Sequence, residues 1–362
     1  MSTDSLYFAT DRHTDFMVEL REKVDAYFAQ KDLSKYGNTS LVFKAIIMHG
    51  LYLVPYLLMV SGVITSTPLI LLAWILMGFG MAGIGMNVMH DANHGSFSKH
   101  RRWTHFLSYT LYLLGGLPFT WRMQHNHIHH SFTNIHGHDA DIEPVEILRF
   151  SPHKPLHKIH RYQHIYAPIL YGLMTIMWIT TKDFQQLYKY KRMGLIKKEG
   201  KSFYPLMLEL ILSKLGYYVV FLALPIILLP IPWYLTLLFF FIMHFIAGVL
   251  LSVIFQAAHV MPDSEYPLPN KKGEMEHNWL VHQLLVTSNY APNNRLLTWA
   301  AGGLNYHAVH HLFPNVSHVH YKDLSPIVKE VTDKYGIRYR VQPTFIGAVG
   351  QHFLMLKLLG RE

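Results

Sequence analysis

The sequence predicts an all-α integral membrane protein with four transmembrane helices and a helical cap on the cytoplasmic side. Two features of composition support this fold class. Hydrophobic residues make up 51% of the 362 residues and charged residues only 15%, against about 25% charged in an ordinary soluble domain. Four apolar runs are also long enough to cross the hydrocarbon core of a bilayer. The chain is therefore expected to be embedded in a membrane.

The four apolar runs set the limits of the predicted spans. Each has close to the ~20 residues that one crossing needs, and only short connectors separate the first run from the second and the third from the fourth. Pro55 and Pro225 inside the runs are tolerated in membrane helices. The predicted spans cover residues 41–60, 67–89, 211–230 and 233–255.

The rest of the chain is expected to form one domain, 1–362, together with these spans. Residues 1–40 are a cytoplasmic N-terminal segment, and residues 90–210 and 256–362 make up the cytoplasmic cap. Within the N-terminal segment, apolar residues at helical spacing predict an amphipathic helix over 14–30. Its apolar residues are Phe16, Val18, Leu20, Val24 and Phe28.

Charge asymmetry orients the spans. The two short connectors hold no Lys or Arg, whereas the segments at the opposite ends of the spans hold many, including Lys99, Arg101 and Arg102. The positive-inside rule then places both termini and the long middle region in the cytoplasm, and we expect a bacterial inner membrane. The formal charge of +9, in a chain this apolar, favours a lipid surface over nucleic acid as partner.

Two shorter apolar stretches, Trp103–Phe119 and Ile165–Thr181, are borderline spans. If one of them crossed the membrane, the histidine clusters described below would be divided between its two sides. We therefore predict that both lie in the membrane interface, where Trp and Tyr are favoured.

Histidine is the outlier of the composition, with 26 copies and no cysteine. The absence of cysteine excludes disulfides, iron–sulfur clusters and thiolate-bound zinc or haem. The first histidine cluster directly follows the second predicted span and contains His90 and His94. These residues share one face of a helix, and Asp91 and Asn93 are expected to orient their rings by hydrogen bonds.

The second cluster contains His125, His129 and His130. On an α-helix, His125 and His129 share a face, while His130 is turned by ~100° from His129. Adjacent imidazoles at this angle do not readily serve one metal, but they can bind two neighbouring ones.

The third cluster contains His307, His310 and His311, and His259 follows the fourth apolar run. Gln256 and Asn305 are expected outer hydrogen-bond partners. With the first two clusters the set reaches nine imidazoles, which suit two metals with four or five ligands each. Iron combines nitrogen ligation with oxygen activation. The cap is thus expected to hold a histidine-ligated di-metal site, with no catalytic side chain beyond the ligands.

These residues resemble a known family. The segments HDANHGSF, QHNHIHHSFTN and NYHAVHHLFPNVSHVHY are similar to the three histidine boxes of the membrane fatty acid desaturases without a fused cytochrome b5 domain. The resemblance runs from about Phe16 to about Tyr339 and includes HNWLVHQLLVTSNY at 277–290. Desaturases that act near the carboxyl end often have Gln where this chain has His307, so the resemblance leaves the double-bond position open.

The resemblance implies a function. The three boxes and His259 would hold two iron ions, and O2 would be co-substrate for the introduction of a double bond into a fatty acyl chain carried by a lipid or a thioester. No internal electron carrier is evident, so electrons would come from a separate donor such as ferredoxin or cytochrome b5. A membrane hydroxylase of lipids, alkanes or carotenoids remains the alternative. A metal transporter would hold its site near the bilayer midplane, and a zinc protease would need HExxH, which is absent.

Other conspicuous residues are interpreted as structural. Gly78, Gly80 and Gly83 match a nucleotide-binding string but lie inside a predicted span, where glycine allows close helix packing or leaves room for an acyl chain. Asp139 and Asp141 are as readily a plain loop as partners of the second cluster. The histidines interpreted as non-ligands are His49, His127, His136, His138, His153, His157, His160, His164, His244, His318 and His320.

Overall fold

The computed structural model describes residues 6–143 and 145–361. Residues 1–5, which open the predicted N-terminal segment, lie outside the described part. The chain forms two compact units, each assembled from segments that are distant in sequence. The first unit contains the segment that ends at Asn38 together with Gln124–Ala167 and the chain from Val253 onward. The second unit contains Thr39–Met123 and Pro168–Ser252.

Four helices in the described residues are long and apolar enough to cross a membrane. They are Thr39–Val60, Thr67–Asn93, Phe203–Leu228 and Trp233–His259, here the first to fourth spans. The prediction of an all-α protein with four spans is thus confirmed. The third span begins at Phe203, eight residues before the predicted residue 211.

The third span contains Lys214, as predicted, and partners inside the protein satisfy this cation. Lys214 Nζ lies 2.6 Å from a carboxylate oxygen of Asp183 and donates to two backbone carbonyls. The buried carboxylate also accepts from Leu117 N, Thr120 Oγ1 and Trp178 Nε1. A buried ion pair is tolerated when such bonds replace its hydration, so the charge does not end the helix.

The glycine string of the second span serves close packing. A Cβ added at Gly80 would lie 2.6 Å from Tyr52 N in the first span, and one at Gly78 would lie 2.8 Å from Met243 O in the fourth span. Neither backbone atom can move aside without shifting its helix. The close-packing interpretation is therefore confirmed.

The two borderline stretches form short broken helices, and neither is among the four spans of the described residues. The first stretch contains a 3₁₀ segment, and the second is interrupted at Leu173 and ends in a π-helical segment. The helices in and next to these stretches are Arg101–Ser108, Tyr109–Leu114 (3₁₀), Pro118–Arg122, Gln163–Gly172, Met174–Met177, Trp178–Lys182 (π), Asp183–Arg192 and Leu195–Lys198.

The core of the first unit forms around the N-terminal helix, which spans Thr14–Gln30 as predicted. Its buried face consists of Phe16, Leu20, Val24 and Tyr27, whose spacing follows one side of a helix. Including Val18 in that face was wrong, since it lies about 200° from Phe16 on the helix and is 50% exposed. The buried face packs against the helices that surround the third histidine cluster.

Strands are minor in the described residues. Tyr7–Phe8 pairs in parallel with Glu274–Met275, and Asn289–Tyr290 pairs in parallel with Val341–Gln342. The remaining helices of the first unit are His130–Phe132, Lys158–Tyr162 (3₁₀), Trp279–Val286, Arg295–Ala300, His307–Leu312, His318–His320 (3₁₀), Tyr321–Lys334 and Phe345–Leu359.

Candidate metal centre

The second histidine cluster lies on a π-helix, Met123–His129, that continues into the short helix His130–Phe132. A π-helix bonds i to i+5, and it therefore brings His130 over His125, with 3.3 Å between their Nε2 atoms. The rings of His125 and His129 still stack, with centroids 5.4 Å apart. All three imidazoles are buried.

The third cluster occupies one helix, His307–Leu312, whose three histidines are fully buried. Each ring has a hydrogen-bond partner at Nδ1. His307 Nδ1 lies 3.1 Å from Leu304 O, and His310 Nδ1 lies 3.0 Å from the hydroxyl of Tyr321. The helix and its loop thus fix the orientation of these rings.

Four imidazoles of the first unit come together although they are far apart in sequence. Nitrogens of His129, His259, His307 and His311 all lie within 4.8 Å of one another. His259 Nε2 and His307 Nε2 are 2.8 Å apart. Nitrogen ligands at such mutual distances can surround one metal ion, since Zn–N and similar bonds are about 2.0–2.1 Å long.

A second group of imidazoles lies beside the first. Nitrogens of His130, His310 and His311 lie within 4.8 Å of one another, so the neighbours His129 and His130 belong to different groups. This separation agrees with the expectation that the two rings straddle a pair of metals. Asp141 adds a carboxylate near His125 and His129.

One further observation supports metal binding by these imidazoles. His129 Nε2 and His311 Nε2 are buried and have no hydrogen-bond partner among the described residues. Leaving a buried donor or acceptor unsatisfied costs ~1–3 kcal/mol, and a metal ion would remove that cost. The residues present therefore fit a histidine-bound metal.

The first cluster belongs to the second unit. His90 and His94 follow a π-helical turn, Gly85–Met89, and their ring centroids are 4.7 Å apart. Trp121 packs edge-on against both rings, with centroid distances of 5.9 and 5.8 Å. The predicted i, i+4 pairing of the two rings is thus seen.

The comparison with known proteins decides the family. A family model described as fatty acid desaturase matches residues 66–343, which include all nine candidate histidines. The chain belongs to the fatty acid desaturase family. The family resemblance stated from the sequence is confirmed.

The relatives of this desaturase carry related names. The chain is 32% identical to the sn-1 linoleoyl-lipid 6-desaturase of Arthrospira platensis over 345 residues, 94% of this chain and 92% of the relative. It is 33% identical to the protein of the same name from Synechocystis sp., with 94% of each chain covered. It is also 32% identical to the acyl-lipid (8-3)-desaturase of Physcomitrium patens, with 98% of this chain and 74% of the relative covered. The protein is thus an oxidoreductase, a fatty acid desaturase.

Acidic residues orient one ring of the candidate metal centre. His129 Nδ1 donates to the buried carboxylate of Asp139, with N–O distances of 3.1 and 3.2 Å. Burial lowers the pKa of His129, but Asp139 and Asp141 outweigh that effect and hold the pKa above its ordinary value. Of the two readings that the sequence left open for Asp139, the structure supports a partner of the second cluster.

Two outer partners were missed by the sequence analysis. Gln283 Oε1 accepts from His311 Nδ1 at 2.8 Å and from Thr133 Oγ1 at 2.9 Å, and Tyr321 bonds His310. Burial and the neighbouring imidazoles lower the pKa of His311, which favours the neutral form that binds metal. Gln283 lies in the stretch at 277–290 that carries part of the family resemblance, and that was its only signal.

The four predicted outer partners have varied surroundings. Asn93 donates to Met89 O at 2.8 Å and accepts from Arg122 at 3.1 Å, while Asn305 donates to Thr298 Oγ1 at 3.0 Å. These hydrogen bonds hold the segments next to the first and third histidine clusters in place. For Asp91 and Gln256 the role of orienting a ring stays a prediction.

Histidines interpreted as structural have identifiable partners. His244 bonds the hydroxyls of Tyr217, at 2.9 Å, and of Thr175, at 3.1 Å, which makes it the expected helix-to-helix link. His49 bonds Ala45 O in its own helix. The expected helix-to-helix bond is thus seen for His244, whereas the bond of His49 stays within its own helix.

Proposed function

We propose that this desaturase introduces a double bond into a fatty acyl chain at a centre of two iron ions, with O2 as co-substrate. The expected iron ligands are His90, His94, His125, His129, His130, His259, His307, His310 and His311. When bound, such a pair of irons supplies the oxidising power by which O2, two donor electrons and two protons remove two hydrogens from adjacent methylenes and leave two water molecules.

The observation that carries the proposal is the state of the rings of His129 and His311. In the neutral form of each ring the Nδ1 hydrogen is held by an outer partner, Asp139 or Gln283, so Nε2 is the nitrogen that carries the lone pair. Both Nε2 atoms are buried and lack a partner among the described residues. Orientation of ligating imidazoles by outer carboxylates and amides is typical of metal sites.

The surrounding side chains hold this arrangement and limit access of water. Phe255 lies against the rings of His125, His129 and His259, with centroid distances of 5.5, 5.2 and 5.4 Å. An apolar wall at this position keeps water from the centre and lowers the local dielectric. Exclusion of water favours reaction with the substrate over side reactions.

The names of the relatives favour a lipid-bound substrate. The two cyanobacterial relatives are named linoleoyl-lipid desaturases and the moss relative an acyl-lipid desaturase. We therefore propose an acyl-lipid rather than a soluble thioester. We further propose a separate electron donor such as ferredoxin or cytochrome b5, with the centre and both termini on the cytoplasmic side of a bacterial inner membrane, as the charge asymmetry predicts.

The test is expression of the wild type and of His311→Ala in a host whose lipids lack the product. Lipid gas chromatography–mass spectrometry should show a new double bond only with the wild type, and iron analysis of the purified wild type should give about two irons per chain. The matched control is His49→Ala, because His49 bonds only its own helix among the bonds described for it. This control should keep both product and iron.

Two results would contradict the proposal. New hydroxyl groups in place of a double bond would identify a hydroxylase with the same centre. Normal product from His311→Ala would remove the third cluster from the site.

A further inference from the structure

The last helix, Phe345–Leu359, is apolar on two opposite faces. One face is buried in the first unit, while on the other Ile346 is 84% exposed and Leu354 43% exposed. Helices that are apolar all round are found in the interior of proteins or in membranes. Within the described residues, nothing covers the outer face of this helix. The buried residues are Ala348, His352, Met355, Leu356 and Leu359.

This helix is too short to be a fifth span. Its 15 residues rise ~22 Å, whereas the hydrocarbon core is ~30 Å thick. An apolar helix too short to span is typical of a buried core helix or of a segment in the membrane interface, and the exposed apolar face of this helix favours the interface.

The helix is attached to the end of the fourth span. His352 Nδ1 donates to Val260 O at 2.9 Å, one residue beyond the span. Tyr290, whose ring lies 5.8 Å from that of Phe345, donates its hydroxyl hydrogen to Ile254 O at 2.8 Å. Both contacts fix the depth of the last helix relative to the final turns of the span.

That depth corresponds to the membrane surface. The fourth span begins with the exposed aromatic pair Trp233 and Tyr234, a composition typical of one interface. The hydrocarbon core ends ~30 Å further along, which is ~20 residues of helix. The position reached lies close to Val253, so Ile254 and Val260 lie at the level of the lipid headgroups.

A second short helix, Arg295–Ala300, also exposes large apolar side chains. Leu296 is 76% exposed and Trp299 is 39% exposed. The segment is tied to the end of the fourth span by Tyr290, and the strand that contains Tyr290 pairs with Val341–Gln342, just before the last helix. Both helices therefore follow elements at the same end of the span.

We propose that these two helices, Arg295–Ala300 and Phe345–Leu359, form a collar that lies in the lipid leaflet at the C-terminal end of the fourth span. The occupant of its exposed apolar surface is the bilayer itself. Arg295 and Lys357 in the collar, and Arg361 just after it, supply positive charge, and cations at headgroup level are attracted to anionic lipid phosphates.

The collar has a consequence for the third histidine cluster. Asn305 Nδ2 donates to Thr298 Oγ1 in the short collar helix, and the Tyr306 hydroxyl donates to Pro292 O just before it, at 2.5 Å. These residues directly precede His307. A collar in the leaflet therefore holds the start of the third cluster at headgroup depth, where a lipid-bound acyl chain is already present.

The chain has no cysteine, so single labels can be placed cleanly. Ile346→Cys and Leu296→Cys would each carry a nitroxide in nanodiscs of phosphatidylcholine and phosphatidylglycerol. Electron paramagnetic resonance power saturation compares access of O2, which concentrates in lipid, with access of a water-soluble chromium oxalate complex. The matched control is Val18→Cys, an aliphatic position of the same unit that is 50% exposed.

We expect O2 access to exceed chromium access at both collar positions and the reverse at Val18. Equal chromium access at Ile346 and Val18 would overturn the proposal, and so would exclusion of both reagents, which would indicate a protein partner or a second copy. Leu354→Cys repeats the measurement if Ile346→Cys fails to fold. The readout requires neither iron nor turnover, so its outcome is independent of the proposed function.

Discussion

Gln283 Oε1 accepts a hydrogen bond from His311 Nδ1 at 2.8 Å. The same side chain donates through Nε2 to His130 O at 3.3 Å. One neutral amide therefore fixes the tautomer of one candidate ligand and the backbone of another. This arrangement leaves Nε2 of His311 as the nitrogen available for metal.

We predict that Gln283→Leu weakens iron binding ~10–100-fold, the usual effect of losing an outer partner of a metal ligand. The apolar side chain no longer accepts from Nδ1, so His311 is free to change tautomer. Competition with a chelator measures the affinity. Gln283→Glu keeps an acceptor and should retain most of the iron; equal loss in both variants would show that packing, and not the hydrogen bond, is responsible.

A second prediction concerns the charge of Asp139. Asp139→Asn retains the shape of the side chain but removes the negative charge beside His129 and one of the two oxygens that accept from Asn134 N and Asp141 N. We expect iron affinity to fall ~10-fold or more, as measured by retained iron after dialysis. Glu143→Gln is the control, because Glu143 bonds Gly137 N and not a candidate ligand. Unchanged iron in Asp139→Asn would contradict an orienting role.

The buried pair of Lys214 and Asp183 leads to a prediction about stability. Lys214→Met leaves the carboxylate buried without its counterion, which typically costs ~3–5 kcal/mol. The loss should appear in unfolding by sodium dodecyl sulfate from detergent micelles. Adding Asp183→Asn should recover part of it, because the amide needs no counterion. A single variant as stable as the wild type would show that the pair contributes nothing.

Close packing at Gly80 is tested by adding one methyl group. Gly80→Ala would place Cβ 2.6 Å from Tyr52 N, and overpacking of this kind typically costs ~1–3 kcal/mol. Gly50→Ala in the first span is the matched control, since no atom lies within 4 Å of its added Cβ. The thermal midpoints should separate the two variants. Equal midpoints would mean that the helices adjust without cost.

A buried histidine outside the candidate metal groups makes the stability of the protein depend on pH. Burial lowers the pKa of His282 from 6.5 to about 4, and the ring bonds Thr133 O at 2.8 Å. Between these values the unfolded chain binds a proton that the folded chain does not. Stability therefore falls as the pH drops from about 6.5 to about 4, by ~3 kcal/mol for this group.

His282→Gln should reduce that acid sensitivity, because Gln does not titrate and its amide can still donate to Thr133 O. The measurement is the thermal midpoint of wild type and variant at several pH values. The two curves should converge toward acid pH. Parallel curves would show that His282 is not the group responsible.

The spans were predictable from sequence because an apolar run of about 20 residues is by itself long enough to cross the hydrocarbon core. The start of the third span was not. Glu209 interrupts the apolar pattern before the predicted start at residue 211, and only the fold shows that Tyr112 donates a hydrogen bond to its carboxylate. Lys214, inside the predicted span, is paired with Asp183 in the same way. Charges of this kind become compatible with a membrane helix through partners that are distant in sequence.

The three histidine clusters were also predictable, since each is a dense local pattern. The type of helix on which they lie was not predictable. Whether a turn is α-helical or π-helical depends on which carbonyl oxygen accepts from each backbone N–H, and the turns before His90 and through His125 are π-helical. Outer partners were the hardest to predict. Gln283 and Tyr321 are ordinary residues of their helices until folding brings them to His311 and His310.

Each π-helical turn contains one residue more than an α-helical turn would need. Deletion of a single residue from Met123–His129 would restore the common winding without removing any histidine. Within this helix, the imidazoles after the deletion would then turn by ~100° relative to those before it. The chain would keep its full complement of nitrogen donors but lose their convergence, so a census of histidines alone would misjudge which homologous sequences are active.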